Sequence, residues 1–370
     1  MTIAALISQA GAAEEHDALN DLRPVLQDVA GKMRQDYTDR KQAIADLEQD
    51  AAKITVVLEG GHLDSKGEAA ALFSRAEARS LVNVIRWKNG ESVNPILARQ
   101  SLADLNKLIA GGVEIPEWGV KIAQAQYVAG SVASVQLHDE ALAYSYWEKC
   151  ADLGHAGCMN IMASVRLTGE AGQQADVKKA LDYHSRVYET GIQYRCAGAV
   201  SARNIAEINY FTGVRRENDD EIEWVRRAYG LVDRLQAQTA SGSDACDRSG
   251  AEIEEFLYRL SRGERTDALL QQAAGRLPAG AETRKALIQY LSGNLGDVAL
   301  QAVAADGKSD FDRCSTYFYA MWYSELTNKP AQAQQYHQHL AGPTKCSIEL
   351  TYAKKYNFMT ASASPAPMQK

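Results

Sequence analysis

The side chains in this 370-residue sequence best placed to do chemistry are its six cysteines. Cys150 and Cys158 lie eight residues apart on either side of Gly154, Cys314 and Cys346 lie 32 apart, and Cys196 and Cys246 are left over. An even number in this arrangement favours three disulfides and an oxidising compartment. The alternative is six reduced thiols buried as small apolar side chains in a cytoplasmic protein.

The seven histidines offer less. His337 and His339 are two apart on an expected helix, so they diverge by about 200° and cannot readily share a metal. His155 directly follows Gly154, where capping the next helix is the expected role. His62 stands in the turn-rich stretch Gly60-Gly61-His62-Leu63-Asp64-Ser65, a polar cluster too commonplace to assign a nucleophile. The chain carries no GxxxxGK loop, GxSxG elbow, HExxH, CxxC or Ser-x-x-Lys motif. No catalytic residue, metal ligand or cofactor is therefore expected, although a triad scattered in sequence is compatible with these absences.

Aromatic residues are the remaining candidates. At helical spacing most must be core, and Tyr146, Tyr183 and Trp322 are expected there. Tyr144, Tyr188 and Tyr194 fall off the repeat's buried positions. They are expected to be exposed and are weak candidates for lining a ligand groove.

The elements that must position these residues are helices. Hydrophobic residues make up 46% of the chain, helix formers recur throughout, and only 8 prolines interrupt them. The best strand pattern, Ile54 to Leu58, equally suits a helix end. Residues 14 to about 58 read as one long helix with a stripe of Leu19, Leu22, Leu26, Val29, Met33 and Tyr37, ended by Gly60-Gly61. Helices follow over Gly67 to Trp87, Pro95 to Ala110 and Pro116 to Val135. This N-terminal region (14–136) reads as a helical cap or an oligomer-forming hairpin.

The middle of the chain repeats. Asp139, Ala143, Tyr146 and Gly154 recur 37 residues later as Asp176, Ala180, Tyr183 and Gly191, and Gly213, Asp220 and Trp224 begin a weaker third copy. Small Ala lets antiparallel helices approach, Tyr fills the gap between repeats, and the glycines turn the chain. One pair cannot bury its apolar face alone, so pairs must stack. Cys150 falls near the end of one helix and Cys158 near the start of the next, where antiparallel neighbours bring Cβ atoms within disulfide range.

The stretch Ala143-Tyr144-Ser145-Tyr146-Trp147-Glu148-Lys149-Cys150-Ala151-Asp152-Leu153-Gly154-His155-Ala156 resembles a Sel-like repeat, as does Asp176-Val177-Lys178-Lys179-Ala180-Leu181-Asp182-Tyr183. The resemblance covers about 138 to 230 and implies an α-solenoid of antiparallel helix pairs, grading into tetratricopeptide-like arrays. The Cys150/Cys158 separation is similar to that in cysteine-rich secreted Sel-like proteins of certain bacteria. Here, however, the first cysteine sits one residue earlier relative to the turn, and the second copy has Val187 and Arg195 at the equivalent positions.

From 243 to 359 the pattern degenerates into shorter helices over Ile253–Leu260, Thr266–Leu277, Thr283–Leu291 and Val298–Ala305. A terminal tetratricopeptide-like unit follows over Cys314–Leu326, Pro330–Leu340 and Cys346–Tyr356. Cys314 and Cys346, one such period apart, fall near the starts of helices; Cys196 and Cys246 pair only by elimination, which leaves their pairing open. Residues 360–370 read as a Ser/Pro/Ala-rich disordered tail.

At the other end, Thr2 to Ala13 is apolar and uncharged, and Ala10-Gly11-Ala12 resembles a signal-peptide cleavage site. A charged n-region is missing, so residues 1–13 read either as a signal remnant or as a frayed start.

Forty basic residues spread among 47 acidic ones, net −7, make no basic stripe for a phosphate backbone, and no run reaches the roughly 18 apolar residues of a membrane span. The expectation is an all-α, non-enzymatic scaffold holding a protein or extended peptide in a bacterial periplasm or outside the cell. A cytoplasmic location is the alternative. A cell-wall or β-lactam-interacting activity is implied only by the resemblance to the cysteine-rich Sel-like proteins, and a periplasmic toxin-neutralising role is a further option within the binding class.

Overall fold

A computed structural model describes residues 24–29, 39–61, 63–116, 120–190, 196–215, 219–238, 248–277, 280–307, 309–342 and 346–356. The chain divides into two compact units, Met1–Met159 and Asn160–Lys370. That division falls inside the repeat-bearing stretch, not at 136/137 where the sequence pattern changes.

In the first unit, 24–29 is helical and α1 spans Arg40–Gly60. The single helix expected over 14–58 is interrupted. Asp39 is extended (φ −113°, ψ 92°) and its carboxylate accepts from Gln42 N at 3.0 Å, so it starts a new helix. Leu26, Val29, Leu47 and Ile54 are buried, whereas Leu19, Leu22, Met33 and Tyr37 lie outside the described residues. Ile54 to Leu58 is the end of α1, which stops at left-handed Gly61.

Asp64 caps α2 (Ser65–Lys88) and Asn94 caps α3 (Pro95–Gly111). The helix expected from Pro116 begins later. Ile115 and Val120 exchange backbone hydrogen bonds at 2.7 and 3.1 Å as an isolated bridge and bury their side chains. Helix α4 then runs Ile122–Ser131 and continues as a π-helical turn, Val132–Gln136. Helix α5 follows over Glu140–Asp152. Helix α1 packs on α2, α2 on α3, α3 on α4 and α4 on α5. Buried Ala69, Ala70, Ala71, Ala76 and Ala78 on α2 allow that close approach, and Arg75 and Arg79 of the same helix converge on Asp104 of α3.

Helix α6 (Ala156–Thr168) contains the division between the units. The second unit continues with α7 (Val177–Thr190), α8 (Ala197–Thr212), α9 (Glu221–Gln238), α10 (Ser249–Ser261), α11 (Asp267–Gly275), α12 (Glu282–Leu291), α13 (Asp297–Ala305), α14 (Asp310–Leu326), α15 (Pro330–Leu340) and α16 (Ser347–Ala353).

The repeat seen in sequence is a repeat of helix starts. Asp139, Asp176 and Asp220 each accept from the backbone N–H three residues on, at 3.0, 3.0 and 3.1 Å. Gly169 and Gly213 both take positive φ (75° and 73°) where the preceding helices end, and Gly154 does so (84°) in the α5–α6 turn. Gly191 lies outside the described residues. Ala143 and Ala180 are fully buried, as expected of the close-approach positions, and Tyr146, Tyr183 and Trp322 are core.

Packing in the second unit starts as neighbour on neighbour and then closes on itself. Helix α14 reaches back to α10 and α12, and α16 packs on α8 and α14. Trp322 fills the centre, with the rings of Tyr210, Phe211 and Tyr258 at 5.0, 4.9 and 5.0 Å between centroids. Aromatic groups thus carry this core, each burying a large apolar area.

Candidate functional site

The fold-back of α16 and α14 onto α8 encloses a cavity of about 290 Å³ that α6 also lines. Its polar side chains come from all four helices: Asn160 and Ser164, Arg203, Asn204 and Glu207, Ser315 and Tyr319, and Glu349. Phe318 and Tyr352, both buried, supply ring faces, while Phe311 and Val200 also line it and stay 67% and 42% exposed.

Arg203 anchors the floor. Its Nε donates to Glu254 Oε1 at 2.9 Å, its Nη2 donates to the same oxygen, and Nη2 also reaches Tyr319 Oη at 3.1 Å. Glu254 has no exposed surface. The guanidinium can lie this close to α10 because residue 250 is glycine; a Cβ there would stand 2.9 Å from Arg203 Nη2. Burial of such a pair costs desolvation on both sides, so the geometry must be well satisfied for it to persist.

Two carboxyls in the lining are not paired in this way. Glu207 is 9% exposed, and burial, with the Glu254 charge beside it, holds its carboxyl well above the usual range against the opposing pull of Arg203. Burial also raises the Glu349 carboxyl. Behind the wall, burial lowers His184 to about 3, so its ring is neutral and its Nε2 can accept from Asn204 Nδ2 at 3.4 Å.

The hydroxyls are occupied as donors. Ser164 Oγ donates to the Asn160 carbonyl (3.2 Å) and Ser315 Oγ to the Phe311 carbonyl (2.6 Å). A serine nucleophile needs a base within reach, and the lining contains no His or Lys. Besides these hydroxyls the lining offers the amides of Asn160 and Asn204 and the carboxyls of Glu207 and Glu349.

The residues singled out from sequence fall elsewhere. Tyr144, expected to be exposed, is buried because it packs edge-on against Trp147 at 5.7 Å. Tyr188 is half-buried, edge-on to Trp224 at 5.1 Å, and Tyr194 and His62 lie outside the described residues. Each of the two packs within its own unit.

Cys150 and Cys158 are bonded, with Cα atoms 5.8 Å apart, and Cys314 and Cys346 likewise at 5.4 Å. Cys196 is disulfide-bonded as well, and Cys246 lies outside the described residues. The Cys314–Cys346 bond ties the residue preceding α16 to the first turns of α14, and so fixes one wall of the cavity.

His155 performs the capping role: its Nδ1 accepts from Cys158 N at 3.4 Å, while Nε2 meets Gln124 Oε1 at 2.9 Å and the ring stacks on Tyr127. Its ring nitrogen and the sulfurs of Cys150 and Cys158 lie within 4.8 Å of one another, but both sulfurs are spent in the disulfide and neither is a thiolate able to ligate. His339 stacks on Tyr317 at 4.7 Å.

The cavity's charged residues were not singled out in the sequence. One signal was present: Arg203 and Glu207 stand one helical turn apart among Ala199, Ala202, Ile205, Ala206 and Ile208, where charged side chains are seldom buried unless paired.

No protein-family model matches the chain, and comparison with curated proteins gives no match. Among solved structures it is similar to one titled "Crystal structure of c5321: a protective antigen present in uropathogenic Escherichia coli strains displaying an SLR fold". The match covers 87% of this chain and 76% of that one, with 13% identity and a TM-score of 0.37. The paired-helix architecture of this chain stands on its own packing and recurring Asp caps, independently of that likeness.

Proposed function

We propose that this chain is a non-enzymatic helical-repeat binding protein that holds a protein or extended peptide outside the cytoplasm, with the cavity of the second unit as its anchor point. One observation carries the reading: a cavity of about 290 Å³ combines buried polar groups with the exposed side chain of Phe311. Exposed aromatic anchors beside a deep polar pocket are what a peptide-binding surface uses to set affinity and register. The disulfides support an oxidising location, and no helix among the described residues is long and apolar enough to cross a membrane.

Selection of a displayed random-peptide library against the disulfide-intact protein tests this. Enriched peptides should compete for one site and lose at least tenfold in affinity on Phe311→Asp. Failure to enrich any sequence, or peptides indifferent to that substitution, would count against the reading.

A further inference from the structure

We propose that the second-unit cavity is a receptor for a single cationic group, an ammonium or guanidinium on an alkyl stem, contributed by a basic side chain of the bound partner. The inference rests on the binding reading above and specifies its chemistry. It starts from an inventory of donors and acceptors. The guanidinium of Arg203 has its charge committed to Glu254, and Ser164 and Ser315 have spent their hydroxyl protons on carbonyls of their own helices. Asn204 directs its amide NH₂ at His184. The lone pairs of both serines, Asn204 Oδ1 and the carboxyls of Glu207 and Glu349 then line the cavity alongside the Asn160 amide.

Burial favours the neutral forms of the Glu207 and Glu349 carboxyls in the empty cavity, and a group that brings N–H donors together with positive charge supplies the counter-charge that favours their ionised forms, which describes Lys and Arg side chains. Glu207 points the same way: it lies nine-tenths buried in the lining, while the Arg203 guanidinium donates to Glu254. Phe318 and Tyr352 also line the cavity and give an alkyl stem apolar surface to pack against. The chain's net charge of −7 adds long-range attraction for a basic partner. An anionic ligand would meet two carboxyls, and the arginine in the lining, Arg203, already donates to Glu254.

The test uses small probes on the full, oxidised chain: n-butylguanidinium and n-butylammonium, the neutral isostere n-butylurea, and valerate, followed by saturation-transfer nuclear magnetic resonance and calorimetry. The two cations should bind saturably and displace one another, with n-butylurea at least tenfold weaker and valerate absent from the site. Glu207→Gln should weaken the cations at least tenfold, and Glu349→Gln, at the more open edge, should weaken them less. Glu349→Gln decides the matter if Glu207→Gln fails to fold. Equal binding of n-butylurea, no saturable cation binding, or cation affinity unmoved by both substitutions would overturn the inference. Neutral peptides that anchor through Phe311 would leave the binding reading intact and sink only the cation; cation binding without any peptide would do the reverse.

Discussion

Tyr319 donates its hydroxyl to Glu254 Oε1 at 2.6 Å, the same oxygen that accepts from Arg203 Nε at 2.9 Å. Three side chains from α8, α10 and α14 therefore meet at one buried atom. Glu254→Gln strands the Arg203 charge and should cost about 3–5 kcal/mol. Tyr319→Phe removes one neutral donor and should cost about 1–2 kcal/mol. Denaturant unfolding of both variants checks the order; equal losses would mean that water, not Glu254, balances Arg203.

The disulfides should rank by loop length. Cys150 and Cys158 are separated by 8 residues and Cys314 and Cys346 by 32. Chain entropy assigns about 2.5 kcal/mol to the first and about 3.7 kcal/mol to the second. Paired alanine replacements followed by urea melts compare them, and peptide mapping of alkylated protein should yield a linked fragment joining Cys150 to Cys158. Free thiols at those positions in natively purified protein would contradict both the bonds and the oxidising location.

Two glycines should fail differently. Gly154 has φ 84° with open space where a Cβ would go, so Gly154→Ala meets only backbone strain, about 1 kcal/mol. At Gly130 a Cβ would stand inside the Trp147 indole, so Gly130→Ala must displace a buried ring of α5 and should cost several-fold more. Thermal melts of the two variants would expose an error if their order were reversed.

Glu77, in α2, gives a pH signature. Burial raises its carboxyl from 4.5 to about 7. The folded state therefore holds a proton that the unfolded state releases above 4.5. Stability from this group is complete below about 4.5, falls as pH rises, and levels off above about 7. Glu77→Gln should be more stable than the parent at pH 8 by a margin that shrinks toward pH 4.5. A margin constant across that range would show that Glu77 does not titrate as described.

Local features were legible in the sequence because their causes are local. Asp139, Asp176 and Asp220 cap the helices they precede whatever those helices later pack against, and the 37-residue recurrence of Asp139 and Asp176 registers this. The boundaries from Asp267 to Leu340 follow from Gly and Pro breaks in the same way. What could not be read is set by distant partners. Nothing near Glu349 in sequence indicates that α16 returns to α8, and the cavity depends on that closure. The misplaced Tyr144 is a different case, because its ring partner Trp147 stands one helical turn on in the same helix. Asp39 is the instructive exception: a strong local cap inside an otherwise continuous apolar stripe, where periodicity outweighed it in the sequence reading.

The bond from Cys314 to Cys346 gives the molecule a sense of where it is. Helix α16 is seven residues long, too short to persist alone, yet it supplies Glu349 and Tyr352 to the cavity. Before oxidation that wall would be held by side-chain packing alone; afterwards it is fastened covalently to α14. With these two cysteines reduced, the wall that carries Glu349 and Tyr352 would part from α14 more readily, so the shape of the cavity is tied to the redox state of a single bond.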